Sequence, residues 1–146
     1  MSGPLVVPDA SVLLKWVLRS DEEDDRERAL DLKTAWLNGA CDLVVPTLWV
    51  FEVGNVLGQK EAATAGALLE ALLDLELPEI GVRRYVPDIL RLTRTHRVTF
   101  YDAAYHALAI REGGTMLTAD AAYLRKTRSA GHLELLAEWR PPPGRP

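Results

Sequence analysis

Leu5-Val6-Val7-Pro8-Asp9-Ala10-Ser11-Val12-Leu13-Leu14-Lys15-Trp16-Val17-Leu18 is the stretch that decides the fold class. Its first four residues form an apolar run that stops at a proline. Asp9-Ala10-Ser11 then opens a longer apolar segment, so the chain reads as a buried strand running straight into a helix.

The same alternation continues outward. Ala29, Leu30, Leu32, Ala35, Trp36 and Leu37 mark a helix stopped by Asn38-Gly39, and Leu43-Val44-Val45 reads as a second strand. Residues 48–59 and 65–77 are predicted to form a helical hairpin, the second arm carrying apolar residues at 65, 68, 69, 72 and 73. A short strand over 80–82, a helix over 86–95 and an alanine-rich helix over 101–112, ended by Gly113-Gly114, come next. Strands over 115–118 and 133–136 flank a last helix over 120–126. Strands alternating with helices predict an α/β sandwich of three layers, α/β/α, around a mainly parallel sheet.

With 146 residues, 48% hydrophobic and 26% charged, the composition excludes a disordered chain, a collagen-like fibre and a coiled coil. Residues 1–140 are expected to form one domain and 141–146, four of them proline, a disordered tail. The single Cys41 rules out an internal disulfide and leaves no thiolate pair for zinc, which points to the cytoplasm. No apolar stretch has the length or the freedom from charge that a bilayer span needs. The net charge of -4 does not advertise a polyanion partner. Charge is nonetheless uneven: residues 21–25 are an acidic run, whereas 83–97 gathers Arg83, Arg84, Arg91, Arg94, His96 and Arg97.

Ligands of an open parallel sheet bind at the carboxyl ends of its strands, so acids placed there carry the chemistry. Asp9 and Asp120 follow strands, and Asp102 opens a helix just after Val98-Thr99-Phe100. Each aspartate alone also reads as a helix cap, and Thr99 to Asp102 resembles a capping box. Glu52 is different, because Leu48-Trp49-Val50-Phe51-Glu52-Val53 is very apolar and a buried carboxylate needs compensation, from an arginine or from a cation shared with Asp9 and Asp102. Asn55, three residues on, shares its helix face; Ser11 and Thr118 stand two residues from Asp9 and Asp120, as supporting hydrogen-bonders or plain turn hydroxyls. Donors that are all oxygen select Mg²⁺ or Mn²⁺ over zinc. His96, His106 and His132 read as surface or helix-face residues. A carboxylate cluster holding hard cations is equipment for hydrolysing phosphodiesters with a metal-activated water.

Val7-Pro8-Asp9-Ala10-Ser11, Phe51-Glu52-Val53-Gly54-Asn55-Val56-Leu57, Thr99-Phe100-Tyr101-Asp102-Ala103-Ala104-Tyr105-His106-Ala107-Leu108-Ala109 and Leu117-Thr118-Ala119-Asp120 together resemble the PIN domain family, specifically its VapC-type toxin ribonucleases. The resemblance spans nearly the whole chain. It implies Mg²⁺- or Mn²⁺-dependent endonucleolytic cleavage of RNA, with Asp9 and Asp102 as direct metal ligands and Glu52 and Asp120 completing the acidic set. Ser11, Asn55 and Thr118 would support them. It also implies a homodimer and a cognate antitoxin, for which the 48–77 hairpin is a candidate surface, although most of its leucines read as core. Two other readings fit strand-end acids: a catalytically inactive PIN-like binding module and a phosphoryl-transfer protein. Against the latter, Asp9-Ala10-Ser11 lacks a second aspartate.

Overall fold

The structure, a computed structural model, describes residues 3–19 and 25–143. The acidic run, apart from Asp25, and the last three residues of the proline-rich tail lie outside the described residues. Among the described residues no helix is long and apolar enough to cross a membrane.

Strands β1 (Leu5–Pro8), β2 (Asp42–Leu43), β5 (Thr115–Thr118) and β6 (Leu133–Leu135) form a sheet in the order β2-β1-β5-β6, every pair parallel. Val6, Val7, Met116 and Leu117 are buried at its centre, as expected of a sheet covered by helices. Helix α6 (Phe100–Glu112) packs on β1 and β5 with α5 (Val86–His96) against it. Residues 103–109 of α6 are all buried, and its alanines allow the close approach. Helix α1 (Ala10–Lys15) contacts β5, α2 (Arg26–Leu37) and α3 (Trp49–Lys60), while α7 (Ala121–Thr127) leads into β6. This is the expected α/β sandwich around a parallel sheet.

The register of β1 against β5 places the site. Pro8 stands opposite Leu117, and the Asp9 amide extends the ladder by donating to the Leu117 carbonyl at 3.0 Å. Asp9 and Thr118 therefore emerge side by side at the carboxyl edge. The opposite end is fixed by Gly114, where a Cβ would lie 2.7 Å from the Leu5 carbonyl oxygen.

Three expectations shift. The apolar stretch at 43–45 divides between two sheets: Leu43 pairs with β1, whereas β3 (Val45–Pro46) pairs in parallel with β4 (Glu79–Ile80). Residues buried on both faces do not show from sequence where the pairing partner changes. The strand foreseen over 80–82 ends at Ile80, because Gly81 turns the chain into a 3₁₀ turn over Val82–Arg84. Helix α4 (Ala65–Leu73) stops short of 77: Glu76 takes φ 51° and swings Leu77 back into the core. Of the leucines between 48 and 77 only Leu57, Leu72 and Leu77 are buried, beside Trp49 and Val53; Leu48, Leu68, Leu69 and Leu75 are half-buried and Leu73 is exposed.

Candidate active site

Asp9 sits where β1 gives way to α1, and its carboxylate is held from two sides. Oδ1 accepts from the Ser11 hydroxyl at 2.5 Å and from the Val12 amide at 3.3 Å, capping α1. Oδ2 accepts from the Thr118 hydroxyl at 2.5 Å. Both hydroxyls are themselves fixed by backbone donors, Ser11 by the Ala119 amide and Thr118 by the Asp120 amide, each at 3.0 Å. The supporting residues foreseen at 11 and 118 thus orient Asp9, and both link it to the turn that carries Asp120.

Burial pushes the Asp9 carboxyl up to about 6, against the hydrogen bonds from Ser11, Thr118 and Val12, with the Asp102 charge adding to the rise. Glu52 on α3 is half-buried and also raised, chiefly by burial, against an interaction with the Tyr105 hydroxyl, with the charges of Asp102 and Asp9 adding to the rise. Asp102 is raised by desolvation, against an interaction with the Thr99 hydroxyl, and further by Asp120, an effect that nearby Lys126 opposes. The four acids therefore act on one another electrostatically, although they come from four separate segments.

Capping explains part of this set. Asp120 Oδ1 accepts from the Tyr123 amide at 3.1 Å and so caps α7. Asp102 caps nothing: Thr99 is the cap of α6, its hydroxyl accepting from the Asp102 amide at 3.1 Å, which leaves the carboxylate of Asp102 exposed. Among the described residues no arginine compensates Glu52: the Tyr105 hydroxyl stands beside its buried carboxylate and interacts with it, but no well-formed hydrogen bond satisfies Glu52 Oε1.

Asp102 and Glu52 line a cleft of about 500 Å³ together with Phe51, Asn55, Thr99 and Tyr101. Asp102 and Asp120 line a second with Arg97 and Lys126, and Asp120 a third with Ser11, Lys15 and Lys60. The shared aspartates join the three clefts into one groove. A model of the PIN domain family matches residues 6–129. The chain belongs to the PIN domain family.

Two curated relatives from Pyrobaculum aerophilum agree. Ribonuclease VapC3 is 33% identical over 122 residues, covering 79% of this chain and 88% of the relative. Exonuclease VapC9 is 30% identical over 111 residues, covering 69% and 79%. The fold is also that of Mycobacterium tuberculosis VapC20, a sarcin-ricin loop cleaving toxin, with a TM-score of 0.64, 17% identity and coverage of 93% of this chain and 99% of that one.

Within this PIN domain the donor set suits a hard divalent cation. Every site donor is an oxygen, the like charges raise one another's pKa, and among the described residues the buried Glu52 Oε1 has no well-formed hydrogen bond. As the side chains stand, no three of the described acids converge closely enough to ligate one ion unaided. Asn55 is exposed on the rim of the Glu52 cleft with no hydrogen bond to that carboxylate.

Tyr105, Phe51, Tyr101 and Lys126 are not singled out as site residues by the sequence, and Arg97 stands out only as part of the basic stretch. Tyr105 had a usable signal, one helical turn beyond Asp102 on the same face. His106 corrects the expectation of a surface residue: it is fully buried, between the Tyr123 hydroxyl at 2.9 Å and the Gly131 carbonyl at 2.7 Å. The basic stretch is dispersed as well, since Arg84 pairs with Glu112 and Arg91 with Asp88, and only Arg97 of the group reaches the acidic groove.

Proposed function

We propose that Asp9, Glu52, Asp102 and Asp120 hold Mg²⁺ or Mn²⁺ and that this site hydrolyses RNA phosphodiesters at internal positions. Family membership and both curated relatives make the chain a nuclease of the VapC type. The observation that carries the metal reading is the buried Glu52 carboxylate, whose pKa no positive group among the described residues lowers, next to a desolvated Asp9. A bound divalent ion supplies the positive charge that lets an acidic pocket accept a polyanion and acidifies a water for attack.

The protein's own residues do the positioning. Ser11 and Thr118 fix both oxygens of Asp9, and the same two hydroxyls tie it to the Asp120 turn. Lys126, close enough to lower the Asp102 pKa, faces the substrate with positive charge. The groove runs past the acids on both sides, which supports entry of a continuous strand and hence internal cleavage. A homodimer, a small antitoxin protein and a cytoplasmic setting complete the reading. The antitoxin is supported by fold likeness to a toxin-antitoxin complex from Klebsiella pneumoniae.

Purified protein incubated with total host RNA and Mn²⁺, beside EDTA and folded Asp9→Asn and Asp102→Asn variants, tests this. New RNA ends that need both the metal and the two aspartates are expected. Equal cutting by the variants overturns it.

A further inference from the structure

The cleft on the Phe51 side of Asp102 is built unlike the rest of the groove. It is lined by two carboxylates, Glu52 and Asp102, and by two aromatic side chains, Phe51 and Tyr101, that are 77% and 61% exposed. Exposing two aromatics at one cleft costs burial energy that a folded chain ordinarily recovers by packing them inward. Asn55 and Thr99 add an amide and a hydroxyl to the rim. Positive groups stand at the other end, with Arg97 and Lys126.

We infer that this cleft is a nucleobase pocket, holding the base adjacent to the phosphate that is cut, stacked on Phe51 and Tyr101. The inference rests on the ribonuclease reading and names how that site takes its substrate. Continuity decides the occupant: the cleft shares Glu52 and Asp102 with the acidic cluster, so whatever fills it is attached to the group being hydrolysed. Charge decides which part of the nucleotide enters. A cation held by the acids serves the phosphate being cut, and the rest of the lining has no positive side chain for a second phosphate. A base, by contrast, is neutral, flat and polar at its edge, suited to two aromatic side chains and the Asn55 amide. The volume of about 500 Å³ lies in the range of small-ligand pockets. Stacking accepts any base, so the pocket adds affinity and register, with base preference left to Asn55.

The test uses the full chain carrying Asp9→Asn, which stops cleavage without touching the pocket, in Mn²⁺. Short single-stranded RNAs with 2-aminopurine at each position in turn are titrated against it, against the same protein with Phe51→Ala or Tyr101→Ala, and against a Leu37→Ala control at a distant exposed site. One position is expected to show fluorescence quenching that either aromatic substitution abolishes, with binding weakened roughly 5- to 100-fold. An abasic nucleotide at that position should weaken the Asp9→Asn protein equally and add nothing to Phe51→Ala. Unchanged affinity in both aromatic variants, with no position-specific quench, overturns the pocket and assigns the aromatic face to a protein partner. If the parent neither binds nor cuts RNA, the ribonuclease reading fails first and the pocket with it.

Discussion

Thr118 donates its hydroxyl to Asp9 Oδ2 at 2.5 Å across 109 positions of sequence, and the Thr118 Oγ1 in turn accepts from the Asp120 amide at 3.0 Å. One fully buried hydroxyl therefore sets both strand-end acids. Thr118→Val keeps the β-branched shape and removes the hydroxyl. We expect Mn²⁺ affinity to fall about 10- to 100-fold, the usual cost of losing a residue that orients a ligand. Calorimetric titration of Mn²⁺ into parent and variant checks this, and equal affinities would show that the hydroxyl is only structural.

Asp9 also sets a pH dependence. Its pKa is raised from 3.8 to about 6, so the stability it contributes is fully present below about 3.8 and lost as pH rises through 6. In EDTA at pH 8 the ionised carboxylate is a liability, and Asp9→Asn should be more stable than the parent by at most about 3 kcal/mol. The gap should close by pH 4, and Mn²⁺ at pH 8 should stabilise the parent much more than the variant. Urea unfolding at the two pH values, with and without metal, measures all of this; a parent that is the more stable protein in EDTA at pH 8 contradicts it.

What the sequence made legible was whatever depends on neighbours along the chain. The strand-to-helix step at Asp9, the Thr99 cap before Asp102 and the turn at Asp120 are local, and each stands where its pattern placed it. Glu52 announced itself through apolar neighbours, yet the preceding residue, Phe51, is the most exposed large apolar side chain described, because α3 presents that face to the groove. Whether a phenylalanine is core or contact depends on what packs across from it. The same limit hid His106, which lies inside an apolar helix whose alanines disclose burial but not the hydroxyl and carbonyl that meet the ring.

His106 anchors the element that carries Asp120. The Gly131 carbonyl can only accept, so Nε2 bears the proton and Nδ1 accepts from the Tyr123 hydroxyl on α7. Burial lowers the imidazole pKa, so its stabilisation is present above the ordinary value of 6.5 and lost as pH falls below it. His106→Phe strands a hydroxyl and a carbonyl and should cost about 2–4 kcal/mol at neutral pH. That cost should shrink as the pH is taken below 6.5, where the parent must charge a buried ring. Chemical denaturation across that window checks the prediction, and a constant difference would contradict the buried neutral tautomer.

Arg97 and Lys126 resolve the apparent conflict between a net charge of -4 and a polyanionic substrate. They line the cleft that Asp102 and Asp120 share, so the field a strand meets there depends on these two cations and on the metal proposed for the acids, not on the molecule's total charge. Each phosphate they neutralise releases counterions, and a single-stranded contact contributes about -0.7 to the slope of log affinity against log salt. Lys126→Ala should therefore make the slope shallower by about 0.7. Arg97 occupies a left-handed backbone position with φ 54°, so Arg97→Asn removes the charge with a residue that tolerates that conformation. The double variant should lose about twice the slope while retaining the base-specific quenching, because these residues read charge and the aromatic pair reads a ring. Binding isotherms between 50 and 300 mM salt decide the matter: a slope unmoved by either substitution would place the RNA backbone elsewhere on the protein.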